Sequence, residues 1–308
     1  MQRYIRAMPV PTGCESALLV APSLTDSHEI LPGRVDAGLV VICDHAVNRL
    51  PEGYGTLGLA AAELERHIAY DIGAYEVTRQ IAATLGAPAI GARFSRLLID
   101  VNRSLDDPTL IMRISDGAVL PGNRHLDAAE RDKRVRDYYG PYHLAIDNLI
   151  DRGIEAGVPP VLLSIHSFTE SWKGVRRPWD AAILWDRDYR FSVPLLEALR
   201  TDPGILVGEN EPYDGKLAGD CMWQHGTRRG IAHTIIEVRQ DLIRDRQGQT
   251  QWAKRIAAAT AAILGRADLR ESLHSLHYFG SHTDDKGAPP FSSQAGRSSG
   301  CTQSTRRS

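Results

Sequence analysis

Four short polar clusters carry residue types that could bind a metal ion or move a proton. Each cluster stands at the end of an apolar run typical of a buried strand, and the clusters are Asp44-His45, Asp100-Val101-Asn102-Arg103, His166-Ser167 and Glu237-Val238-Arg239. In an open α/β sheet, ligands bind in the crevice outside the carboxyl ends of the strands. We therefore infer that the four clusters converge on one pocket, provided that their strands are neighbours in the sheet.

Two histidines from separate strands, His45 and His166, suit a divalent metal of the zinc type. Imidazole is a good zinc ligand, and a catalytic zinc site keeps one position open, so a third protein ligand is needed. A glutamate at a nearby strand end, such as Glu237, suits the general base that activates water. An arginine after a strand, such as Arg103, suits a clamp for a substrate carboxylate, because guanidinium binds carboxylates through two parallel hydrogen bonds.

Each cluster taken alone also has a structural explanation. A single histidine at a strand end is more often a structural residue than a metal ligand. The Asp-x-Asn-Arg segment could form a structural salt bridge where a strand enters a loop. Glu237 and Arg239 are two residues apart, so on a strand they share a face and could pair with each other. The combination of all four clusters in this order is much more specific than any one of them.

Apolar runs and helical periodicity place these clusters on alternating strands and helices. Short apolar runs predict strands within 37–46, 87–92, 96–101, 158–168, 179–186, 205–210 and 234–241. Helical spacing predicts helices over 59–85 (as two helices or one interrupted helix), 127–153 and 251–264. The Asp-, Pro- and Gly-rich stretch 104–125 predicts a long loop. This alternation favours an α/β fold with a mostly parallel or mixed central sheet and helices on both faces.

The chain is expected to form one catalytic domain over residues 37–282. Its 308 residues, 43% of them apolar, suffice for one large α/β domain, although the length also allows two smaller ones. Residues 1–36 are weakly periodic and predict an irregular lead-in. Residues 283–308 are rich in Ser, Gly, Pro and Arg and predict a disordered tail.

Charge and cysteine usage limit the expected partners and compartment. The formal net charge is -2 with both signs interspersed, so we expect no nucleic-acid partner, and a monomer or homodimer. The four cysteines are far apart and form no CxxC pair, which disfavours a disulfide framework or a cysteine-rich zinc site. The first residues lack the apolar core of a signal peptide, and no run approaches a membrane span. We therefore expect a reducing cytoplasm and no membrane partner.

The order of the clusters resembles that of the zinc carboxypeptidase superfamily. In that superfamily a first zinc histidine opens an HxxE motif and a D-x-N-R segment binds substrate. A second zinc histidine lies in an H-S-[YF] segment, and a late glutamate is the base. A longer set of segments resembles the N-formylglutamate amidohydrolase family over about residues 37–265. These segments are CDHAVNRLP, HIAYDIGA, FSRLLIDVNR, PGN, IHSFT, RRPWDAAILW, NEPYDG and IIEVRQDLI.

The resemblance implies a zinc carboxypeptidase-like fold and a zinc-dependent amidohydrolase that cleaves a small N-acyl acidic amino acid. The expected substrate is N-formyl-L-glutamate, which yields glutamate and formate in histidine breakdown. The resemblance further implies one Zn²⁺ per chain and the following site residues. They are His45 and His166 as zinc ligands, Glu237 as base, and Asn102 and Arg103 as substrate-binding residues. Asn210 and Tyr213 form a predicted turn, and the resemblance implies that this turn lines the pocket.

Arg96 and Arg177 could add positive charge to a site for an acidic substrate. For Arg177, ion pairing at the surface or at the edge of the core is an equally good explanation.

The third metal ligand departs from the superfamily pattern. Asn48 stands where the HxxE motif has its glutamate, and an amide oxygen is a weaker zinc ligand than a carboxylate. Either Asn48 ligates weakly or an acidic residue replaces it. Asp44 and Asp71 are the candidates, and Asp71 is favoured because HIAYDIGA belongs to the family pattern.

Two other functions remain open at this point. A metallo-carboxypeptidase or amidase acting on a peptide or on another N-acyl amino acid would use the same residues. It would differ in pocket size at the loops 104–125 and 168–180. A non-catalytic small-molecule binding protein on the same fold is kept open by Asn48. The remaining histidines of interest are interpreted as structural, and they are His67, His143, His225 and His233.

Overall fold

Short strands and helices alternate along the part of the chain that the computed structural model describes, residues 18–284. The strands are β1 (Leu19–Val20), β2 (Ser23–Leu24), β3 (His28–Leu31), β4 (Gly33–Arg34), β5 (Leu39–Cys43), β6 (Ala89–Ala92), β7 (Ile114–Ser115), β8 (Ala118–Val119), β9 (Val161–Phe168), β10 (Ser171–Trp172), β11 (Val175–Arg176), β12 (Ala181–Leu184), β13 (Val207–Glu209) and β14 (His233–Arg239). The α-helices are α1 (Ala61–Leu64), α2 (Ala74–Leu85), α3 (Pro121–Arg124), α4 (Ala128–Arg134), α5 (Gly140–Glu155), α6 (Tyr189–Arg200), α7 (Cys221–His225), α8 (Arg246–Leu264) and α9 (Arg270–Leu273).

An eight-stranded sheet with the order β13-β12-β14-β9-β5-β6-β3-β2 forms the centre of the fold. Its middle is parallel, because β14 pairs with β9, β9 with β5 and β5 with β6 in the same direction. Strand β12 runs antiparallel to β14, and β3 runs antiparallel to β6. The predicted fold class, a mostly parallel mixed sheet with flanking helices, is confirmed. The parallel middle brings the carboxyl ends of β14, β9 and β5 to one edge of the sheet.

Two apolar clusters cover the two faces of the sheet. Successive side chains of a strand point to opposite faces. On β5, Val41 and Cys43 therefore join the cluster with α2, α6 and α8. Val40 and Ile42 join the other cluster, which includes Tyr142 and other residues of α5. Burial on both faces explains why the central strands read as nearly continuous apolar runs in the sequence.

The predicted helix over 127–153 forms as α4, a π-helical segment (Val135–Tyr139) and α5. Its start is capped by Asp127, whose side chain accepts a hydrogen bond from the Glu130 backbone N–H at 2.8 Å. The predicted helical region 59–85 forms as two helices, α1 and α2, joined by turns. Within residues 18–284 no helix has both the length and the hydrophobicity needed to cross a bilayer.

The predicted strand over 96–101 is wrong. This segment consists of buried turns, because its backbone groups bond to turns and loops and not to a neighbouring strand: the Leu98 N–H donates to Ser95 O at 2.9 Å, and the Asp100 N–H donates to Leu110 O at 2.8 Å. The side chains of Leu97 to Ile99 are still fully buried. A short apolar run reports burial, and burial alone does not distinguish a strand from a packed loop.

The predicted irregular lead-in over 1–36 is wrong for residues 18–36. Strand β3 pairs with β6, and β2 pairs with β3, so this segment extends the central sheet at one edge. These strands are short and half-buried, with polar residues such as His28 and Glu29, which is why no clear alternation reveals them. Residues 1–17 and 285–308 lie outside the described part of the chain, and with them almost all of the predicted tail. The predicted loop 104–125 contains the β7–β8 hairpin and α3.

Gly73, at the start of α2, lies so close to the backbone of Ile243 that a side chain should not fit there. It has φ of +81°, and a Cβ there would lie 2.1 Å from the Ile243 carbonyl oxygen. We expect Gly73→Ala to lower the free energy of unfolding by about 3 kcal/mol or more, because a left-handed backbone and a clash add up. Urea denaturation monitored by circular dichroism measures this change.

Gly86, which follows the same helix, supplies the matched control. It has φ of +62°, but nothing lies within 4 Å of a Cβ built there. Gly86→Ala should therefore lower the free energy of unfolding by only about 1 to 2 kcal/mol. Equal losses in the two variants would contradict the packing described for Gly73.

Candidate active site and metal centre

Three neighbouring parallel strands deliver the central side chains of the site. Glu237 on β14 lies directly opposite His166 on β9 in the strand register. His45 follows the end of β5, which is the next strand in the sheet. The rings of His45 and His166 are 5.0 Å apart between centroids and meet at 76°. His45, His166 and Glu237, each more than 70 residues from the next along the chain, thus lie side by side at one edge of the sheet.

Asp71 places its carboxylate between the two imidazoles. It lies in the turn before α2, and its backbone N–H donates to the His45 carbonyl oxygen at 2.9 Å. Its Oδ2 is 3.3 Å from His45 Nδ1 and 2.7 Å from His166 Nδ1. One donor atom from each of the three residues lies within 4.8 Å of the others. Two imidazoles and one carboxylate are a ligand set that catalytic zinc takes.

The far nitrogen of each imidazole is held by a second carboxylate. His45 Nε2 is 2.7 Å from Asp100 Oδ1, and His166 Nε2 is 3.1 Å from Asp44 Oδ2. Metal-binding histidines usually donate their other ring N–H to such a partner, which fixes the ring and makes it a better ligand. The residues present therefore fit a metal ion bound by His45, Asp71 and His166. Asp44, an alternative for the third ligand in the sequence, lies instead behind His166.

The charges of this group favour a cation between the rings. Burial alone would raise the pKa of Asp44, Asp71 and Asp100. For Asp44, the hydrogen bond to His166 and the charges of His166 and His45 together outweigh burial and lower the pKa to about 2. The charges of the histidines lower the pKa of Asp71, and the charge of Arg96 lowers that of Asp100 well below its usual range. Burial would lower the pKa of His166, but hydrogen bonds to Asp44 and Asp71 raise it well above its usual value.

Glu237 is a buried carboxyl whose pKa is raised, in contrast to the lowered pKa values of Asp44, Asp71 and Asp100. Burial raises its pKa to about 7, and the nearby charge of Asp71 acts in the same direction. Its Oε2 is buried and has no hydrogen-bond partner within residues 18–284. A carboxyl whose pKa is near neutrality can both accept and return a proton at physiological pH. Glu237 therefore has the protonation behaviour that a general acid and base requires.

Asn48 does not reach the metal-ligand group. Its side-chain amide donates to the Leu64 carbonyl oxygen at 3.0 Å and to Glu65 Oε1 at 3.1 Å, both at the end of α1. These two acceptors hold the side chain in the loop, away from His45. The expectation that Asn48 could act as a weak ligand is therefore corrected, and Asp71 is the candidate that joins His45 and His166.

A cavity of about 350 Å³ opens onto the metal-ligand group and Glu237. Its lining includes both candidate ligand histidines and most of the predicted substrate-binding residues. The lining residues are His45, His67, Asp71, Arg96, Asn102, Arg103, His166, Ser167, Phe168, Thr169, Leu184, Tyr213, Asp214, Leu217, Asp220, Ile235, Glu237 and Gln240. The four clusters therefore meet at one cavity.

Two arginines line this cavity, and they differ in whether their charge is paired with a carboxylate. Arg96 donates to Asp100 Oδ2 through Nε at 3.1 Å and Nη2 at 2.7 Å, so its charge is paired. Arg103 forms no ion pair within the described residues, and its Nη1 donates to the Asn102 carbonyl oxygen at 3.1 Å. Tyr139 fixes the Arg103 backbone by donating to its carbonyl oxygen at 2.9 Å. Arg103 is therefore the lining arginine whose charge remains available for a ligand.

Asn102 lines the cavity while its side chain is anchored. Its Oδ1 accepts a hydrogen bond from the Cys221 backbone N–H at 3.0 Å, at the start of α7. The side-chain amide nitrogen has its own donors, so the anchoring bond fixes the direction in which they point. Helix α7 thus positions one of the predicted substrate-binding residues.

In the segment around the NEPYDG motif, one residue lines the cavity and the others support the surrounding structure. Tyr213 lines the cavity, and its hydroxyl accepts from Arg177 Nη1 at 3.1 Å. The Arg177 guanidinium lies over the Tyr213 ring at 5.0 Å, so it supports the wall and does not line the cavity. Asn210 has φ of +50°, and its Oδ1 accepts from the Trp185 and Gly215 N–H groups at 3.0 and 3.1 Å. Its predicted pocket-lining role is wrong, because both contacts serve the turn.

Asp220 lines the cavity and was not expected from the sequence. Its Oδ1 accepts from the Trp223 backbone N–H at 2.6 Å, so it caps the N-terminus of α7. Burial raises the pKa of Asp220 to about 7. The only signal in the sequence is an aspartate before a short helix, which predicts a cap. Its place on the cavity wall depends on where α7 packs.

The third ligand can be tested by a pair of substitutions. Asp71→Asn should lower the affinity for zinc by at least about tenfold, because a carboxylate ligand becomes a weaker amide. Asn48→Ala should leave the affinity unchanged. Titration with a chromophoric zinc chelator as competitor measures both. A larger loss of zinc affinity in Asn48→Ala than in Asp71→Asn would instead make Asn48 the third ligand.

The buried carboxyl of Asp220 predicts a pH-dependent stability difference. Its pKa in the folded protein is above the value of about 3.8 for the unfolded chain. The folded state therefore holds a proton that the unfolded state loses, and stability falls as the pH rises from about 4 to about 7. Asp220→Asn keeps an N-cap acceptor and removes this loss. We expect it to raise the free energy of unfolding by about 1 to 4 kcal/mol at pH 8 and by little at pH 4.

Urea denaturation at several pH values measures this difference. Asp245→Asn is the matched control, because Asp245 caps α8 in the same way but is exposed to solvent. It should show no comparable gain at pH 8. A gain for Asp220→Asn that is equal at pH 4 and pH 8 would argue against a buried titrating carboxyl.

Comparison with known proteins agrees with this fold and shows the family. The sequence matches the N-formylglutamate amidohydrolase family over residues 37–244. A solved structure of a gene product from Agrobacterium tumefaciens shares 31% identity at a TM-score of 0.72, and the match covers 77% of this chain and 94% of that one. An N-formylglutamate amidohydrolase from Ralstonia eutropha shares the fold, with 23% identity, a TM-score of 0.56 and coverage of 76% and 94%. No curated protein matched the sequence. Since the family match spans more than half of its length, the chain belongs to the N-formylglutamate amidohydrolase family.

Proposed function

We propose that this amidohydrolase depends on zinc and cleaves the amide of an N-acyl acidic amino acid, with N-formyl-L-glutamate as its substrate. The observation that carries the proposal is the group of His45, Asp71 and His166 beside the partnerless Glu237 carboxyl, at the base of one cavity. Family membership supports the amide bond as the target. The name of the Ralstonia eutropha structure suggests the formyl group.

Hydrolysis needs a proton acceptor for water and a proton donor for the leaving amine. Zinc held by His45, Asp71 and His166 would act as a Lewis acid on the amide carbonyl and would make water more acidic. Glu237 takes a proton from the attacking water and returns it to the leaving nitrogen. The C–N bond breaks, and the products are formate and L-glutamate.

Substrate recognition is assigned to the arginine whose charge is available. Arg103 pairs with a carboxylate of the substrate, and the anchored Asn102 side chain offers its amide N–H groups. The cavity of about 350 Å³ suits a small ligand. We further propose a cytoplasmic role in histidine breakdown, which the separated cysteines and the expected substrate favour.

The first experiment measures metal content and formate release from N-formyl-L-glutamate, with and without a chelator. Glu237→Gln should keep the zinc at the His45 group and reduce kcat about 10² to 10⁴-fold, because only the proton transfer is removed. Glu76→Gln, at an exposed position on α2, is the matched control and should leave kcat unchanged.

The outcomes separate the parts of the proposal. Zinc binding and chelator-sensitive formate release support it as a whole. Zinc without formate release would direct the search to other N-acyl amino acids or peptides and would overturn the formyl substrate. Neither metal nor turnover, even after zinc is added, would overturn the catalytic assignment and favour a binding protein.

A further inference from the structure

A second cluster of potential metal ligands lies behind the wall of the cavity. His143 is on α5, while Cys221 and His225 are on α7, and all three side chains are buried. One donor atom from each lies within 4.8 Å of the others. None of the three lines the cavity of about 350 Å³. The cluster contains sulfur, which the His45 group does not.

We propose that His143, Cys221 and His225 form a second metal site that takes a divalent ion of the zinc type. Thiolate and imidazole are the donors that structural zinc sites use. Cys221 and His225 are four residues apart on one helix, so their side chains share a face. His143 faces them from α5, and an ion bound there would link two helices.

The surroundings of His225 match those of a metal-binding histidine. His225 Nδ1 is 3.0 Å from Asp147 Oδ1, and a carboxylate at the far nitrogen is the usual outer partner of a ligand histidine. Asp147 is itself held by Arg229 Nη1 at 2.7 Å. In a neutral ring this arrangement leaves the lone pair on His225 Nε2, which lies 2.7 Å from His143 Nδ1.

His143 supplies the second observation, because its Nε2 is buried and has no hydrogen-bond partner within residues 18–284. A buried polar atom without a partner usually has an explanation such as an ion or a water molecule. Two buried imidazoles beside a buried thiol therefore form a polar cluster that is incompletely satisfied by the protein alone. Binding of the ion would replace the proton of the Cys221 thiol, which would be released to solvent.

The carboxylate that partners His225 is open to solvent. Asp147, whose side chain is 43% exposed, lines an open groove of about 800 Å³ together with Gln224 and Arg229. The Cys221 backbone N–H also anchors Asn102, so an ion at this site would stiffen the wall of the catalytic cavity from behind.

The test uses the whole chain loaded with cobalt(II) in place of zinc and then dialysed. We expect about two equivalents of cobalt per chain, and a near-ultraviolet sulfur-to-cobalt charge-transfer band. The band reports the second site alone, because the His45 group has no sulfur ligand. The wild-type spectrum is informative without any variant. One equivalent and no such band would overturn the proposal.

Three variants assign the band to its ligands. Cys221→Ala should lose the band and one equivalent of metal. Cys43→Ala, which changes the other buried cysteine within the described residues, should keep both. His225→Gln should also lose the band, which provides a second route if Cys221→Ala does not fold by circular dichroism. Persistence of the band in folded Cys221→Ala or His225→Gln would overturn the site.

A fourth variant separates this proposal from the proposed function. His166→Gln should lose the metal of the catalytic group and formate release while it keeps the sulfur band. If wild-type protein shows the band without hydrolysing any N-acyl amino acid, the second site stands and the proposed function fails. Hydrolysis without the band gives the reverse result.

Discussion

The carboxylate of Asp71 contacts His45 and His166 at once, and the arrangement of the candidate site depends on this contact. His45 follows β5 and His166 lies on β9, and Asp71 reaches them from the turn before α2. The same turn is tied to β9 by Ser167, whose hydroxyl donates to the Ile72 carbonyl oxygen at 3.0 Å. The sheet thus sets the spacing of the two imidazoles, and the helix start sets the carboxylate between them.

Such a concentration of buried charge is costly unless every member has a partner. Asp44 receives a hydrogen bond from the Tyr142 hydroxyl at 2.8 Å, and Asp100 is paired with Arg96. Glu237 lacks this support at Oε2, so its burial is not offset and its proton is retained near neutral pH. The buried acids at this edge of the sheet thereby differ in protonation, which is what the proposed cation site and the proposed proton transfer both require.

Much of this site could be predicted because its residues stand at strand ends. The apolar runs before His45, His166 and Glu237 indicated buried strands, and parallel packing then brought their ends together. The segment before Asp100 gave the same apolar signal and formed turns, since burial does not specify backbone conformation. The sequence alone could not show that Asn48 turns towards α1, because that depends on the local acceptors Leu64 and Glu65.

Contacts between distant helices were the least predictable part. Asp220 reaches the cavity, and His225 meets His143, only because α7 packs against α5. The four-residue spacing of Cys221 and His225 is visible in the sequence, but their partner lies 78 residues before Cys221. Each histidine alone was reasonably interpreted as structural. Their juxtaposition depends on how two amphipathic helices pack on the sheet.

The π-helical segment between α4 and α5 changes the rotational phase of one long helix. Arg134 on α4 donates to the Leu98 carbonyl oxygen and to Asn123 Oδ1, while Tyr142 on α5 donates to Asp44. In a regular α-helix these two residues, eight positions apart, would differ by about 80° around the axis. A π turn takes up roughly one additional residue, or about 100°, and so cancels most of this offset. One side of the helix can therefore contact both the loop that contains Leu98 and Asn123 and the buried carboxylate of Asp44 beside the candidate site.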